Sequence, residues 1–221
     1  MTTTTDLAEL SLSAAMKQGS AAEHDDAEHS EFISALLGGR INAAGYAAYL
    51  RALRTVYATL ESVGRTLADD PIAGPVIDPK LDRLAALDAD LEFWAPGESL
   101  DSDSAAAATY AAAIAESAAW GGTYLAHHYT RYLGDLSGGQ AVGTLLNRAF
   151  DLGGRGLAFY DFAEIGKNKP YKDVYREKLD ALGAPLSPEE RLRVVDEVRR
   201  AFRLNQALFG ELSENIDEYR R

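Results

Sequence analysis

Three short stretches of this sequence hold residues whose types and spacing could do chemistry. The first is Ala22-Glu23-His24-Asp25-Asp26-Ala27-Glu28-His29. On a helix, His24 and Glu28 share a face at a separation of four, where a carboxylate can accept a hydrogen bond from an imidazole. Such a bond fixes the tautomer and raises the basicity of the other ring nitrogen, which suits a metal-bound histidine. A solvated surface pair has the same spacing, so the motif alone leaves both readings open. His29 is turned ~140° from His24 at about 100° per residue, so the two cannot serve one pocket. His127 and His128 diverge on a helix as well, and are expected to be packed or exposed histidines rather than a metal pair.

The second stretch is Arg131-Tyr132-Leu133-Gly134-Asp135-Leu136-Ser137-Gly138-Gly139-Gln140, followed by Gly143. These glycines lie within a pattern that otherwise reads as helix. Each costs roughly 1 kcal/mol relative to alanine in a helix interior, so something should compensate. Residues 131, 134, 135 and 138 fall on one face, which presents bare backbone flanked by an arginine and a carboxylate. Either a second helix or a flat ligand could use that close approach. Burying Asp135 and Arg131 on a pure packing face would be expensive, which favours the ligand.

The elements that must position these residues read as helical nearly throughout. An apolar stripe at Leu7, Leu10, Ala14 and Ala15 predicts a helix continuing through His24. Phe32, Leu36 and Leu37 precede a stop at Gly38-Gly39. A long helix is predicted over 42–68, with Tyr46, Tyr49, Leu50, Leu53, Val56, Tyr57 and Leu60 on one face. Pro71, Pro75 and Pro79 punctuate a break, and helical spacing resumes from Leu81 to Trp94. The alanine-rich stretch from Asp103 predicts helix running past Phe150 until Gly153-Gly154. Helices over 169–182, with Pro170 in the first turn, and 188–218, capped by Ser187, complete an all-α reading. Strand alternation is absent, and one domain over 7–218 is expected.

Composition narrows the functions. At 221 residues the chain can bury a core, and a net charge of −12 argues against nucleic acid as a partner. With no cysteine, thiolate ligands, thiolate nucleophiles and disulfides are excluded together. Met1 to Asp6 is a threonine-rich run expected to be disordered and to carry no signal peptide. No apolar run approaches the ~18 residues a membrane span needs, so a cytoplasmic protein without membrane attachment is expected.

Taken together, the chain from about Leu7 to Leu212 resembles the heme oxygenase family. The resemblance rests on RYLGDLSGGQ (131–140), AEHDDAEHS (22–30), KPYKDVYREKL (169–179) and AFRLNQALF (201–209), in that order. It implies a multi-helical bundle with heme b held between a proximal helix and a kinked, glycine-rich distal helix. His24 is then the iron ligand, with Glu28 as its hydrogen-bond partner. Gly134 and Gly138 belong to the distal helix, Asp135 organises distal waters, and Arg131 joins the same polar network. Lys17, Lys172 and Arg176 match residues that hold the heme propionates, with Tyr129 nearby. The activity implied is oxidative opening of heme at a meso carbon, alpha by resemblance, to biliverdin, CO and ferrous iron, consuming O2.

The third stretch gains its meaning here. Residues 167–178 carry Lys167, Lys169, Lys172, Arg176 and Lys178 in an otherwise acidic protein. Lys172 and Arg176 share a face, and an arginine can grip a carboxylate bidentately. A solvated helix face has the same composition. The reaction needs electrons, and no flavin or nicotinamide site is expected, because the glycine run follows no strand. A separate reductase or ferredoxin must therefore dock. The rivals are a non-catalytic heme carrier or sensor on the same scaffold, a thiaminase-like hydrolase, which needs a cysteine, and a structural bundle, which leaves the glycine cost unexplained.

Overall fold

Local capping chemistry divides the chain into helices. The computed structural model describes Leu7 and residues 9–221, with the side chain of Glu28 outside the described set; the disorder expected for residues 1–6 also lies outside it. The helices are α1 (Leu12–Gly19), α2 (Ala21–Glu28), α3 (Glu31–Leu37), α4 (Ala43–Thr66), α5 (Leu84–Trp94), α6 (Ala105–Ser117) and α7 (Gly121–Gly134). A π-helical turn, Asp135–Gly139, joins α7 to α8 (Gln140–Phe150); α9 (Asn168–Gly183), α10 (Pro188–Glu214) and α11 (Ile216–Tyr219) follow. Among the described residues there is no strand, only an isolated bridge between Ile41 and Arg220.

The starts are set by side-chain oxygens that satisfy otherwise unpaired amides. Ser30 accepts from the Ile33 amide, Asn42 from Gly45 and Ser104 from Ala107. Ser187 and Glu190 form a reciprocal capping box, each accepting from the other's amide. Glu61, buried on α4, accepts from the amides of Arg83 and Leu84 at 2.6 and 2.8 Å. That carboxylate makes α5 begin at Leu84; Leu81 belongs instead to a 3-10 turn. At the other end of α3, Gly39 adopts φ +65°, a conformation costly for any residue with a Cβ, so the chain turns there as its sequence implies.

Three predicted helices are more divided than their periodicity suggests. The amino-terminal helix breaks at Ser20, whose φ/ψ of −111°/14° is non-helical and whose hydroxyl donates to the Met16 carbonyl. The 103–150 run breaks at Ala118–Trp120 and again at the π turn. At the first break Trp120 is extended, and Thr123 turns its hydroxyl to the Trp120 and Ser117 carbonyls. The last helix ends at Glu214 rather than 218, with α11 following Asn215.

The main core surrounds α4, whose Tyr46, Leu50, Leu53, Val56, Tyr57 and Leu60 are fully buried against α5 and α6. Each such side chain contributes about 1.5–3 kcal/mol relative to exposure. A second cluster, including Leu12, Met16, Leu125, Leu133, Tyr175, Leu179, Val194 and Val198, binds α1, α7, α9 and α10 together. Helix α10 runs through both, packing on α2, α6 and α7. No helix among the described residues is long and apolar enough to cross a membrane.

Candidate active site

The glycine run does two different jobs. A Cβ placed on Gly139 would stand 3.4 Å from the Tyr160 ring, and one on Gly143 would meet it at 3.0 Å. Those two glycines let Tyr160 wedge against the back of the segment. Gly134 and Gly138 differ: among the described residues, no atom beyond the chain neighbours and the helix's own backbone lies within 4 Å of a Cβ built on either. Among the described residues no second helix fills the space above these two glycines. The bare backbone is exposed, and its cost is not repaid by packing within the chain.

Behind the bare face, Arg131 and Asp135 are both buried, 5% and 6% exposed. The Tyr57 hydroxyl donates a short hydrogen bond to Asp135 Oδ2. Arg131 donates through Nε to Tyr57 at 3.2 Å, through Nη1 to Asn205 Oδ1 at 2.8 Å, and through Nη2 to Asp135 Oδ1 at 3.4 Å. Burial pushes the Asp135 carboxyl up from its ordinary value, while the Arg131 charge and the Tyr57 hydroxyl pull it back. Burial also raises the Tyr57 phenol well above its usual range, so it stays a donor. A π turn suits this place, because its wider helix displaces the regular ladder and lets Asp135 face inward while Gly138 stays open.

His24 lies on α2, exposed, with its ring edge-to-face against Phe202 at 5.4 Å. Gln206 donates to the Glu23 carbonyl at 2.8 Å, tying α2 to α10. Phe202, Asn205 and Gln206 occupy little more than one turn of α10, so the imidazole side and the Arg131 side are fixed to the same piece of helix. Glu28 lies on α2 with His24; its side chain is not among those described.

The cations sit on two packed elements. Lys17 is exposed in the last turn of α1, and α9 packs against α1, where a Cβ on Gly183 would collide with Leu12. On α9, Lys172 Nζ donates to Ser137 Oγ of the π turn at 2.9 Å, bringing it beside the distal segment. Arg176 pairs with Asp173 at 3.2 Å and is also charge-coupled to half-buried Tyr129. Pro170 sits at the third position of α9, where a missing amide hydrogen costs nothing, and the helix continues through both cations.

Residues 10–211 match the family model described as heme oxygenase. The chain belongs to the heme oxygenase family. Heme oxygenase 1 of Synechocystis is 34% identical over 211 residues, covering 94% of this chain and 87% of the relative. Human heme oxygenase 1 is 35% identical over 209 residues, covering 92% of this chain and 72% of the relative. The crystal structure of Synechocystis heme oxygenase 1 in complex with heme aligns with a TM-score of 0.88 at 32% identity over 95% of both chains. A heme oxygenase from Leptospira interrogans aligns with a TM-score of 0.86 at 32% identity, covering 91% of this chain and 100% of that one.

For a heme oxygenase the residues overlooked in the sequence are as informative as those singled out. Tyr57 reads there as one more apolar position on the α4 stripe, yet it is the donor to Asp135. Asn205 and Gln206 stand as a polar pair inside the apolar run 201–209, a signal that they have partners to satisfy. His127 and His128 are both buried and paired, to Glu197 Oε1 and to Tyr175 Oη, each at 2.8 Å. No group of three or more metal-capable side chains exists among the described residues.

Proposed function

We propose that the protein binds heme b as substrate, with His24 as axial ligand, and opens it at a meso carbon to biliverdin, CO and ferrous iron. The observation that carries this reading is the open glycine face of Gly134 and Gly138 backed by the buried Asp135–Arg131–Tyr57 network. A planar macrocycle fits a surface that offers backbone and no side chain. Heme, as the substrate, brings the iron at which oxygen is activated; a single imidazole ligand leaves the opposite side available for it.

The protein's own part is steric and protonic. Gly134 and Gly138 keep any bulky acid away from the distal side, so the reacting oxygen is aimed along the ring plane toward its edge. Asp135 accepts from Tyr57 and Arg131, and its remaining lone pairs hold a water that delivers the proton. Arg131 and Tyr57 oppose the rise that burial imposes on that carboxyl. Lys17, Lys172 and Arg176 offer charge to the two propionates, with Tyr129 beside Arg176, and fix the ring against rotation in its plane. Electrons come from a separate reductase or ferredoxin.

The test is titration of hemin into the purified protein, then ascorbate in air. A stoichiometric six-coordinate spectrum, its loss in His24→Ala, and release of biliverdin with CO are expected. Binding without loss of the Soret band would mark a carrier and overturn the catalytic reading.

A further inference from the structure

His128 and Tyr175 take no part in the chemistry above, yet they form a buried polar pair at a consequential place. His128 is 2% exposed, and its Nδ1 lies 2.8 Å from the Tyr175 hydroxyl. The two rings are stacked, 5° from parallel with centroids 5.8 Å apart, and the Tyr132 ring closes on His128 at 4.5 Å. Burial holds the tyrosine well above and the histidine, at about 3, well below their ordinary values. The hydroxyl therefore donates and the neutral Nδ1 accepts. Two apolar rings would fill this space equally well. A hydrogen bond adds what apolar packing lacks, a preferred direction, and it makes a slip costly by stranding two buried polar atoms.

The pair joins α7 to α9. His128 lies one turn before Arg131 and two turns before Asp135; Tyr175 lies between Lys172 and Arg176. Lys172 itself reaches the π turn through its exposed bond to Ser137 at 2.9 Å, and the remaining ties of α9 to other elements point elsewhere. Asp180 accepts from the Ser13 amide at 2.8 Å, Tyr171 donates to Asp78 Oδ2 at 2.9 Å, and Lys178 donates to the Pro75 carbonyl at 2.9 Å. These hold α9 to α1 and to the 74–78 turn. The buried link from its middle turn toward the distal helix is Tyr175 to His128.

We propose that His128 and Tyr175 are positioning residues that fix Lys172 and Arg176 relative to the distal wall and thereby set which meso edge of heme faces Asp135. This rests on the heme-opening function proposed above. The pair touches no substrate: it acts through the cations it places.

The experiment uses the full chain with His128→Phe, Tyr175→Phe and His128→Asn. Asparagine puts an acceptor oxygen near the place of Nδ1, whereas phenylalanine keeps the ring and removes the acceptor. Each ferric heme complex is examined by proton NMR, whose hyperfine-shifted heme methyl signals count in-plane seatings, and the biliverdin isomers are separated after turnover. The two phenylalanine variants should raise the minor seating and its isomer about fivefold, the factor a typical net hydrogen bond supplies. His128→Asn should hold the wild-type ratio. Unchanged seating in both phenylalanine variants, even with lowered melting temperatures, overturns the proposal. So does a mixture in His128→Asn as large as in His128→Phe, since ring packing would then be the cause. Should one phenylalanine variant fail to fold, the other decides. A wild type that neither binds nor opens heme overturns the functional reading and this inference together, whereas a normal wild type with unmoved variants sinks this inference alone.

Discussion

Gly134→Ala and Gly138→Ala should stabilise the protein and cripple it at once. Both positions are helical or π-helical without positive φ, and both have open space where the methyl would stand. Glycine at such a site costs about 0.5–1 kcal/mol relative to alanine, so each substitution should recover that amount in the heme-free protein. For a chain of this length the melting temperature rises by about 2 °C. The same methyl projects ~1.5 Å from Cα, into the space a contacting porphyrin would occupy. Displacement of a reacting group by about 1 Å can cost 10²-fold in rate, so ring opening should fall by about that factor, with weaker hemin binding. Gly143→Ala is the control, because its methyl would meet Tyr160 at 3.0 Å and should lower the melting temperature. Circular dichroism melts of the heme-free proteins and single-turnover ring opening read the two effects. A melting temperature that falls for Gly138→Ala, or turnover that survives it, would refute the assignment of the open face to the ligand.

Three further outcomes are expected. Asp135→Ala should still bind heme, lose biliverdin formation and gain peroxidase-type oxidation of guaiacol; an unchanged biliverdin yield would remove Asp135 from the mechanism. It should also unfold more easily, since it leaves Arg131 buried without its carboxylate, a loss of about 3–5 kcal/mol measurable by urea titration. Arg176→Ala should loosen heme and give mixed biliverdin isomers, and a single isomer at wild-type proportion would count against its propionate role. His128, lowered to about 3 chiefly by burial, stays neutral when folded while its unfolded counterpart takes a proton near 6.5. Its contribution is complete above that pH and is lost as pH falls toward 3, at about 1.4 kcal/mol per unit. His128→Asn should flatten the pH dependence of unfolding free energy by that slope; identical slopes would show that the histidine protonates without cost.

Much of this was legible in the residues. Gly38-Gly39 and the Ser187–Glu190 box end or begin helices where their chemistry says they should, because each depends on local geometry, whereas α8 already ends at Phe150, capped by Asp151 at φ 53°, before Gly153-Gly154 is reached. The glycine face was legible too, as an unexplained cost beside an arginine and an aspartate. The breaks at Ser20 and Ala118–Trp120 are masked by alanine-rich and apolar spacing that continues on either side, although Gly19 and Gly121-Gly122 stand beside them as local stop signals. Nor does sequence distinguish the four glycines: Gly134 and Gly138 are bare, whereas Gly139 and Gly143 are filled by Tyr160, a residue some twenty positions away. Tyr57 and His128 were hidden for a related reason. Periodicity assigns an aromatic side chain to a buried face, but it is blind to where the hydroxyl or ring nitrogen finds its partner.

Because Phe202, Asn205 and Gln206 stand within little more than a turn of α10, the two walls of the site share one foundation. Whatever displaces that stretch of α10 would reach the His24 side and the Arg131 side together, so the two halves of the proposed site are held in register by three neighbouring side chains.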